Sequence, residues 1–339
     1  METVNVLCTL RFTAELLDQL RAVSSQLHIE QETCRDAGAV AAALAARPGT
    51  EVLYTFHVPD AILDLAPGLA WVQLHSAGAD HVLDSPLMAS EVALTTSSGI
   101  HATPIAEYVW ASLLAHRWRV PHWTRCQREG EWPSGRWDLY ARPELRGSTL
   151  GILGYGSIGR EVGRLARAFG MRVLALRRSA GRADQGYAPA DTGDPEGILP
   201  EQFYAPDALH DMLGACDYVV IALPLTPDTE HLIGEAELQA MKSSAYLVNI
   251  ARGGIVDEAA LVKALREGWI AGAGLDVFEE EPLPADSPLW GLEDVLMSPH
   301  VAGFTPRYDE RAATLFAENL ARYLAGKPLM NLVDKARGY

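Results

Sequence analysis

Three polar residues each follow an apolar, strand-like run. Arg252 lies in Leu247-Val248-Asn249-Ile250-Ala251-Arg252-Gly253-Gly254, and Glu281 closes Gly274-Leu275-Asp276-Val277-Phe278-Glu279-Glu280-Glu281-Pro282. His300 sits in Ser298-Pro299-His300-Val301-Ala302-Gly303. In an open parallel sheet the carboxyl ends of the strands form the ligand crevice, so residues far apart in sequence can meet there. An arginine fork suits a carboxylate next to a carbonyl, anchoring one and polarising the other. A histidine, with an ordinary pKa of about 6.5, can protonate the oxygen on which charge builds when a carbonyl is reduced. A neighbouring carboxylate keeps that proton available. Taken singly, each has a bland explanation: a surface arginine, a structural histidine, a solvated acidic turn over Glu279, Glu280 and Glu281. Together the three strings weaken each of these bland explanations, because one crevice can gather all three residues.

A second constellation concerns phosphate. The run Gly151-Ile152-Leu153-Gly154-Tyr155-Gly156-Ser157-Ile158-Gly159-Arg160 places G-x-G-x-x-G between an apolar strand from Ser148 and a helical pattern (Ile158, Val162, Leu165, Ala166, Phe169) that stops at Gly170. A further strand is expected over Met171–Leu176. This is the context that a dinucleotide fingerprint requires. Gly154 allows the tight turn, Gly156 lets backbone approach a pyrophosphate, and Gly159 lets helix and strand pack closely. The helix start at Ser157 and Ile158 offers N–H groups to phosphate.

The second strand ends in Arg177-Arg178-Ser179, with no carboxylate for a ribose 2′-hydroxyl. Two guanidinium groups and a hydroxyl can instead bind a 2′-phosphate. The expected cofactor is NADP(H), with NAD(H) as the alternative if these arginines only solvate the loop.

These residues need elements to hold them. Val4–Leu7, Glu51–Phe56, Trp71–His75 and Val92–Thr95 are expected strands, and Ala14–Ser24 and Ala37–Ala46 helices between them. A long helix is expected from Pro104 to Pro121 and a last one over Arg311–Leu324. The predicted layout is discontinuous: a substrate domain of residues 1–99 plus 304–339, with a dinucleotide domain of residues 100–303 inserted. The default ligand site is the cleft between two such domains. Gly181–Pro206 lacks periodicity and is rich in Gly and Pro, which predicts a long solvated loop, or alternatively a flap over the adenosine end. The stretch Arg117–Tyr140 carries Trp118, Trp123, Trp132 and Trp137 among arginines. With the helix from Pro104 it is an expected two-fold interface of a homodimer.

The chain of 339 residues has a net charge of −16, which argues against nucleic acid or an anionic membrane as partner. No apolar stretch approaches membrane-spanning length. The start has no basic n-region, and the four cysteines show no C-x-x-C, which suits a reducing cytoplasm and no metal site.

The three strings around Arg252, Glu281 and His300 closely resemble those of the D-isomer-specific 2-hydroxyacid dehydrogenases, a family that includes glyoxylate/hydroxypyruvate reductases and D-3-phosphoglycerate dehydrogenases. So do Leu223-Pro224-Leu225-Thr226 with Thr229, and Ser76-Ala77-Gly78-Ala79-Asp80-His81. The resemblance implies a Rossmann domain inserted into a smaller flavodoxin-like α/β substrate domain. It implies Arg252 as substrate arginine, Glu281 as the acid partnering the histidine, and His300 as proton donor and acceptor. It implies that Ser76, Ala77 and Gly78 hold the substrate carboxylate with Arg252 and His300. Further cofactor contacts are implied at Leu223, Pro224, Thr229, Ile250, Ala251, Arg252, Asp276, His300 and Gly303. The expected activity is hydride transfer between NADP(H) or NAD(H) and a 2-oxo acid/D-2-hydroxy acid pair, in a glyoxylate/hydroxypyruvate-type reductase. Competing readings are a formate- or phosphite-type dehydrogenase, or a dinucleotide-sensing corepressor-like binding protein. Formate enzymes of this fold pair the histidine with Gln, which Glu281 disfavours. His57, His75 and His101 are expected to be structural.

Overall fold

The computed structural model describes residues 3–178 and 186–338. Two compact units emerge: unit 1 comprises Met1–His101, Gln185–Pro189 and Thr305–Tyr339, and unit 2 comprises Ala102–Asp184 and Ala190–Phe304.

Unit 1 begins with β1 (Val4–Cys8), α1 (Ala14–Arg21), β2 (Leu27–Gln31), α2 (Ala37–Ala45), β3 (Val52–Thr55), α3 (Ile62–Leu65), β4 (Trp71–Leu74) and β5 (Ala93–Thr95). The five strands form one parallel sheet ordered β2-β1-β3-β4-β5. Central strands β3 and β4 are buried at every position, as expected of a sheet covered on both faces. Thr13 and Asp36 cap α1 and α2 by accepting from the Leu16 and Ala39 N–H groups.

Unit 2 continues with α4 (Ala102–Trp118), α5 (Val120–Glu129), α6 (Arg136–Tyr140), β6 (Thr149–Leu153), α7 (Ser157–Ala168), β7 (Arg172–Leu176), β8 (Gln202–Tyr204), α8 (Leu209–Ala215), β9 (Tyr218–Ile221), α9 (Glu235–Ala240), β10 (Tyr246–Asn249), α10 (Glu258–Glu267), β11 (Gly272–Leu275) and β12 (Val295–Met297). Its seven strands are parallel in the order β12-β11-β10-β9-β6-β7-β8. The order reverses between β6 and β9, the switch point at which such sheets bind ligands. The chain ends in unit 1 with α11 (Tyr308–Leu324), whose Ala313, Phe316 and Leu320 pack on Tyr54 and Trp71.

Several sequence expectations need correction. Strand β2 and helix α3 were not foreseen. The single helix expected from Pro104 to Pro121 is two. Arg119 takes a left-handed backbone at φ 51, and Pro121 falls in the first turn of α5, where its missing N–H is no loss. The segment Gly181–Pro206 is not simply a solvated loop. Its opening and Ser179 lie outside the described residues, but the remainder carries strand β8 and a buried anchor. Asp194 is 5% exposed and accepts from Tyr155 Oη and from the Ile198 and Leu199 N–H groups. Arg160 of α7 donates to the Asp194 carbonyl, and buried Glu161 accepts from the Gly193 N–H. A desolvated carboxylate is retained only where donors surround it.

Candidate active site

The fingerprint turn shows three distinct uses of glycine. Gly154 has φ +98, and a Cβ there would lie 2.5 Å from the Ala222 carbonyl oxygen of the neighbouring strand end. A Cβ at Gly159 would lie 2.2 Å from the Gly154 oxygen, so α7 packs onto β6 only without a side chain. Gly156 is exposed, and a Cβ there would meet nothing within 4 Å. The protein itself has no need of that glycine; a cradle left clear at the amino end of α7 fits a pyrophosphate. Ser157 and Ile158 open the helix there and are half-buried.

At the far end of β7, Arg177 and Arg178 have different surroundings. The Arg177 guanidinium lies 3.6 Å from the ring centroid of Phe203 on β8. Arg178 is exposed and pairs with Asp228 at 2.9 Å. Asp228 belongs to the turn Leu223–Thr229, which Thr229 fixes: its buried Oγ1 accepts from the Thr226 N–H at 2.8 Å and donates to the Pro224 carbonyl at 2.7 Å. Thr229 thus shapes the turn, while Pro224 is exposed on it.

Arg252, Glu281 and His300 lie at the carboxyl edge of three adjacent strands. The register Asn249↔Leu275↔Met297 aligns the ends of β10, β11 and β12, after which come Arg252, Glu281 and His300. His300 Nδ1 is 2.8 Å from Glu281 Oε2, and Glu281 Oε1 accepts from the Phe278 N–H at 3.0 Å. Of the three consecutive glutamates, Glu281 is the one that reaches the imidazole. Glu279 turns to His231 at 3.1 Å. His300 takes a left-handed backbone at φ 54. Such a conformation persists where its surroundings over-determine it. Here the determinant is Asp276, 2% exposed, whose carboxylate accepts from Ser298 Oγ (2.6 Å), Val301 N–H (2.8 Å) and Ala302 N–H (2.9 Å). Asp276 was expected at the cofactor; its oxygens are engaged in holding the turn that carries His300. Tyr108 of α4 joins this network through Ser298 Oγ at 2.6 Å.

Arg252 is half-buried. Its backbone carbonyl accepts from Asn249 Nδ2 at 3.0 Å, and its Nη1 donates to the Ala251 carbonyl at 2.8 Å. Ile250 and Ala251 before it are buried. Behind it, a Cβ on Gly253 would sit 1.9 Å from the Phe278 carbonyl carbon, so the Arg252 turn is pressed onto the loop that carries Glu281. Tyr108, Asn249, Gly253 and Ser298 also support this region, beyond the residues expected there. Asn249 and Ser298 carry a readable signal: each is a polar residue at the end of an apolar strand, buried in β10 and half-buried after β12. Tyr108 has none, because its partner is 190 residues away.

In unit 1, Ser76, Ala77 and Gly78 follow β4 and are half-buried. Ser76 Oγ donates to the Gly78 carbonyl at 2.9 Å. The Ala77 and Gly78 N–H groups have no acceptor among the described residues. His75 is largely buried, its Nδ1 2.7 Å from Tyr54 Oη, and His101 packs edge-on against Tyr308.

Residues 110–302 match the family model described as D-isomer specific 2-hydroxyacid dehydrogenase, NAD binding domain. The chain belongs to the D-isomer-specific 2-hydroxyacid dehydrogenases. Like the family, it is an NAD(P)-dependent dehydrogenase. A glyoxylate reductase of Aeropyrum pernix is 41% identical over 287 residues, covering 84% of this chain and 82% of the relative. A D-isomer-specific 2-hydroxyacid dehydrogenase of Xanthobacter autotrophicus, solved with NADPH and MES, superposes at TM-score 0.79 with 30% identity over 100% of both chains. An NADPH-dependent glyoxylate/hydroxypyruvate reductase of Sinorhizobium meliloti, solved with NADP and sulfate, gives TM-score 0.77 and 27% identity over 99% of this chain and 100% of that one. No helix among the described residues is long and apolar enough to cross a membrane.

Proposed function

We propose that this dehydrogenase reduces a small 2-oxo acid of the glyoxylate/hydroxypyruvate type to its D-2-hydroxy acid, with NADPH preferred over NADH. The observation that carries the reading is the His300–Glu281 pair, 2.8 Å apart at the carboxyl edge of the sheet. The nicotinamide cofactor supplies the hydride. Glu281 engages Nδ1 and so fixes the ring with Nε2 presented to the substrate. His300 Nε2 donates the proton that the carbonyl oxygen needs as charge develops on it. Arg252 binds the carboxylate and polarises the carbonyl through its planar fork.

The cofactor preference rests on Arg177 and Arg178 at the end of β7, with no acidic residue in their place. The relatives point the same way, since the Sinorhizobium enzyme is named NADPH-dependent. Initial rates with glyoxylate, hydroxypyruvate and larger 2-oxo acids, using NADPH and NADH in parallel, test both halves. We expect measurable turnover with the two small acids and a kcat/KM at least about tenfold higher with NADPH, the minimum from one charge-assisted contact. Equal use of NADH would remove the cofactor half.

We also propose a homodimer. In the arm Trp118–Tyr140, Trp132 and Trp137 are 82% and 81% exposed, and Trp118 and Trp123 are also uncovered. Aromatic and arginine side chains concentrated on one exposed segment are what a protein interface uses.

A further inference from the structure

We propose that Phe203 is a positioning residue for discrimination of the cofactor's 2′-phosphate: it holds the Arg177 guanidinium ready before the ligand arrives. The inference rests on the NADP reading above and adds a residue to it.

Strand β8 is an edge strand paired with β7, with Phe203 opposite Ala175 and Tyr204 opposite Leu176. The Arg177 N–H donates to the Tyr204 carbonyl at 3.0 Å, which continues the ladder one residue past the strand. Side chains alternate along a strand, so Arg177 emerges on the same face as Ala175, and Phe203 is its diagonal cross-strand neighbour. The guanidinium lies over that ring at 3.6 Å. The ring is itself braced. Tyr155 packs edge-on against it, with centroids 5.6 Å apart and planes at 79°. Tyr155 Oη donates to buried Asp194 at 2.8 Å, and Arg160 donates to the Asp194 carbonyl. A side chain at Gly197 would meet the Arg160 and Arg177 guanidinium groups at 3.5 and 3.9 Å. The segment 193–204 therefore builds a wall on one side of Arg177.

A free arginine must give up rotamer freedom when it binds an anion. A guanidinium already stacked on a fixed ring gives up less. Phe203 itself has no group that could contact phosphate, so its effect must run through Arg177.

The test uses the whole enzyme and binding of adenosine 2′,5′-bisphosphate and 5′-AMP, probes that differ by the 2′-phosphate and need no turnover. Calorimetry on wild type, Phe203→Leu, Phe203→Tyr, Arg177→Ala and the Arg177→Ala/Phe203→Leu double variant gives five ratios of affinity. A cation–π contact of ordinary strength predicts that Phe203→Leu weakens the bisphosphate by roughly 2- to 30-fold and leaves 5′-AMP unchanged. Phe203→Tyr, which keeps the ring, should restore the wild-type ratio. Arg177→Ala should lose at least as much as Phe203→Leu, and adding Phe203→Leu to it should cost little more. Wild type with no preference for the bisphosphate would overturn the NADP reading itself. A wild-type preference that Phe203→Leu keeps, or a loss shared equally by 5′-AMP, would overturn the role of Phe203 alone.

Discussion

At the residue scale, the account turns on one hydrogen bond. His300 and Glu281 are about half and one-third exposed, so solvent and a ligand can reach the pair. His300→Ala should lower kcat by about 10²–10⁴-fold, the usual contribution of general acid–base catalysis, with little change in NADPH affinity. An alanine variant retaining more than half of wild-type turnover would remove His300 from the mechanism. Arg252→Lys should raise KM and lower kcat together, because a point charge cannot reproduce the fork. Arg252 and His300 are legible as polar residues following apolar strands, whereas only the family resemblance, with its acid directly before a proline, singles out Glu281 from Glu279 and Glu280. Their supports were less so. The buried Asp276 carboxylate organises the His300 turn through Ser298, Val301 and Ala302, contacts that only the folded chain brings together.

At the scale of elements, the fingerprint glycines make opposite predictions. Gly156→Ala adds a methyl to open space at a compatible φ of −85, so the melting temperature without cofactor should stay within a degree or two. Affinity for either dinucleotide should fall sharply, measured by calorimetry. Gly159→Ala forces a Cβ to 2.2 Å from the Gly154 oxygen. Overpacking of that kind costs about 1–3 kcal/mol, and the variant should melt several degrees lower before any ligand is added. If both variants melt alike, the division of labour among these glycines is wrong. The strands bearing the site were legible because they are short apolar runs bounded by turn residues. Strand β2, Leu-His-Ile-Glu-Gln at a sheet edge, hides its pattern behind polar residues. Strand β8 has three residues inside a Gly- and Pro-rich stretch, and only pairing with β7 makes it a strand. The α4–α5 break depends on a left-handed arginine, which no residue type announces.

At the scale of the whole molecule, two histidines give stability a pH dependence. Burial lowers His75 in unit 1 and His116 in unit 2 from 6.5 to about 4. His75 faces Tyr54, Tyr308 and Asp309, and His116 stacks on Tyr246 near Arg119 and Arg142. Below pH 6.5 the unfolded chain takes up protons that the folded one refuses. Stability is therefore full above that pH and falls as pH drops towards 4, by up to about 1.4 kcal/mol per pH unit for each histidine. Melting temperatures across this window should fall less steeply for His75→Gln than for wild type. A parallel slope would mean that His75 is protonated in the fold. Light scattering at micromolar concentration should give twice the 36.8 kDa chain mass. A monomer would leave the tryptophan arm without its proposed partner.

The central claim is that this chain delivers a hydride and the His300 proton to a 2-oxo acid so as to make the D product. The most direct measurement is chiral analysis of the glycerate formed when hydroxypyruvate is reduced with NADPH. The account predicts D-glycerate in amounts matching the NADPH consumed. L-glycerate, or no NADPH consumption with any 2-oxo acid, would contradict it.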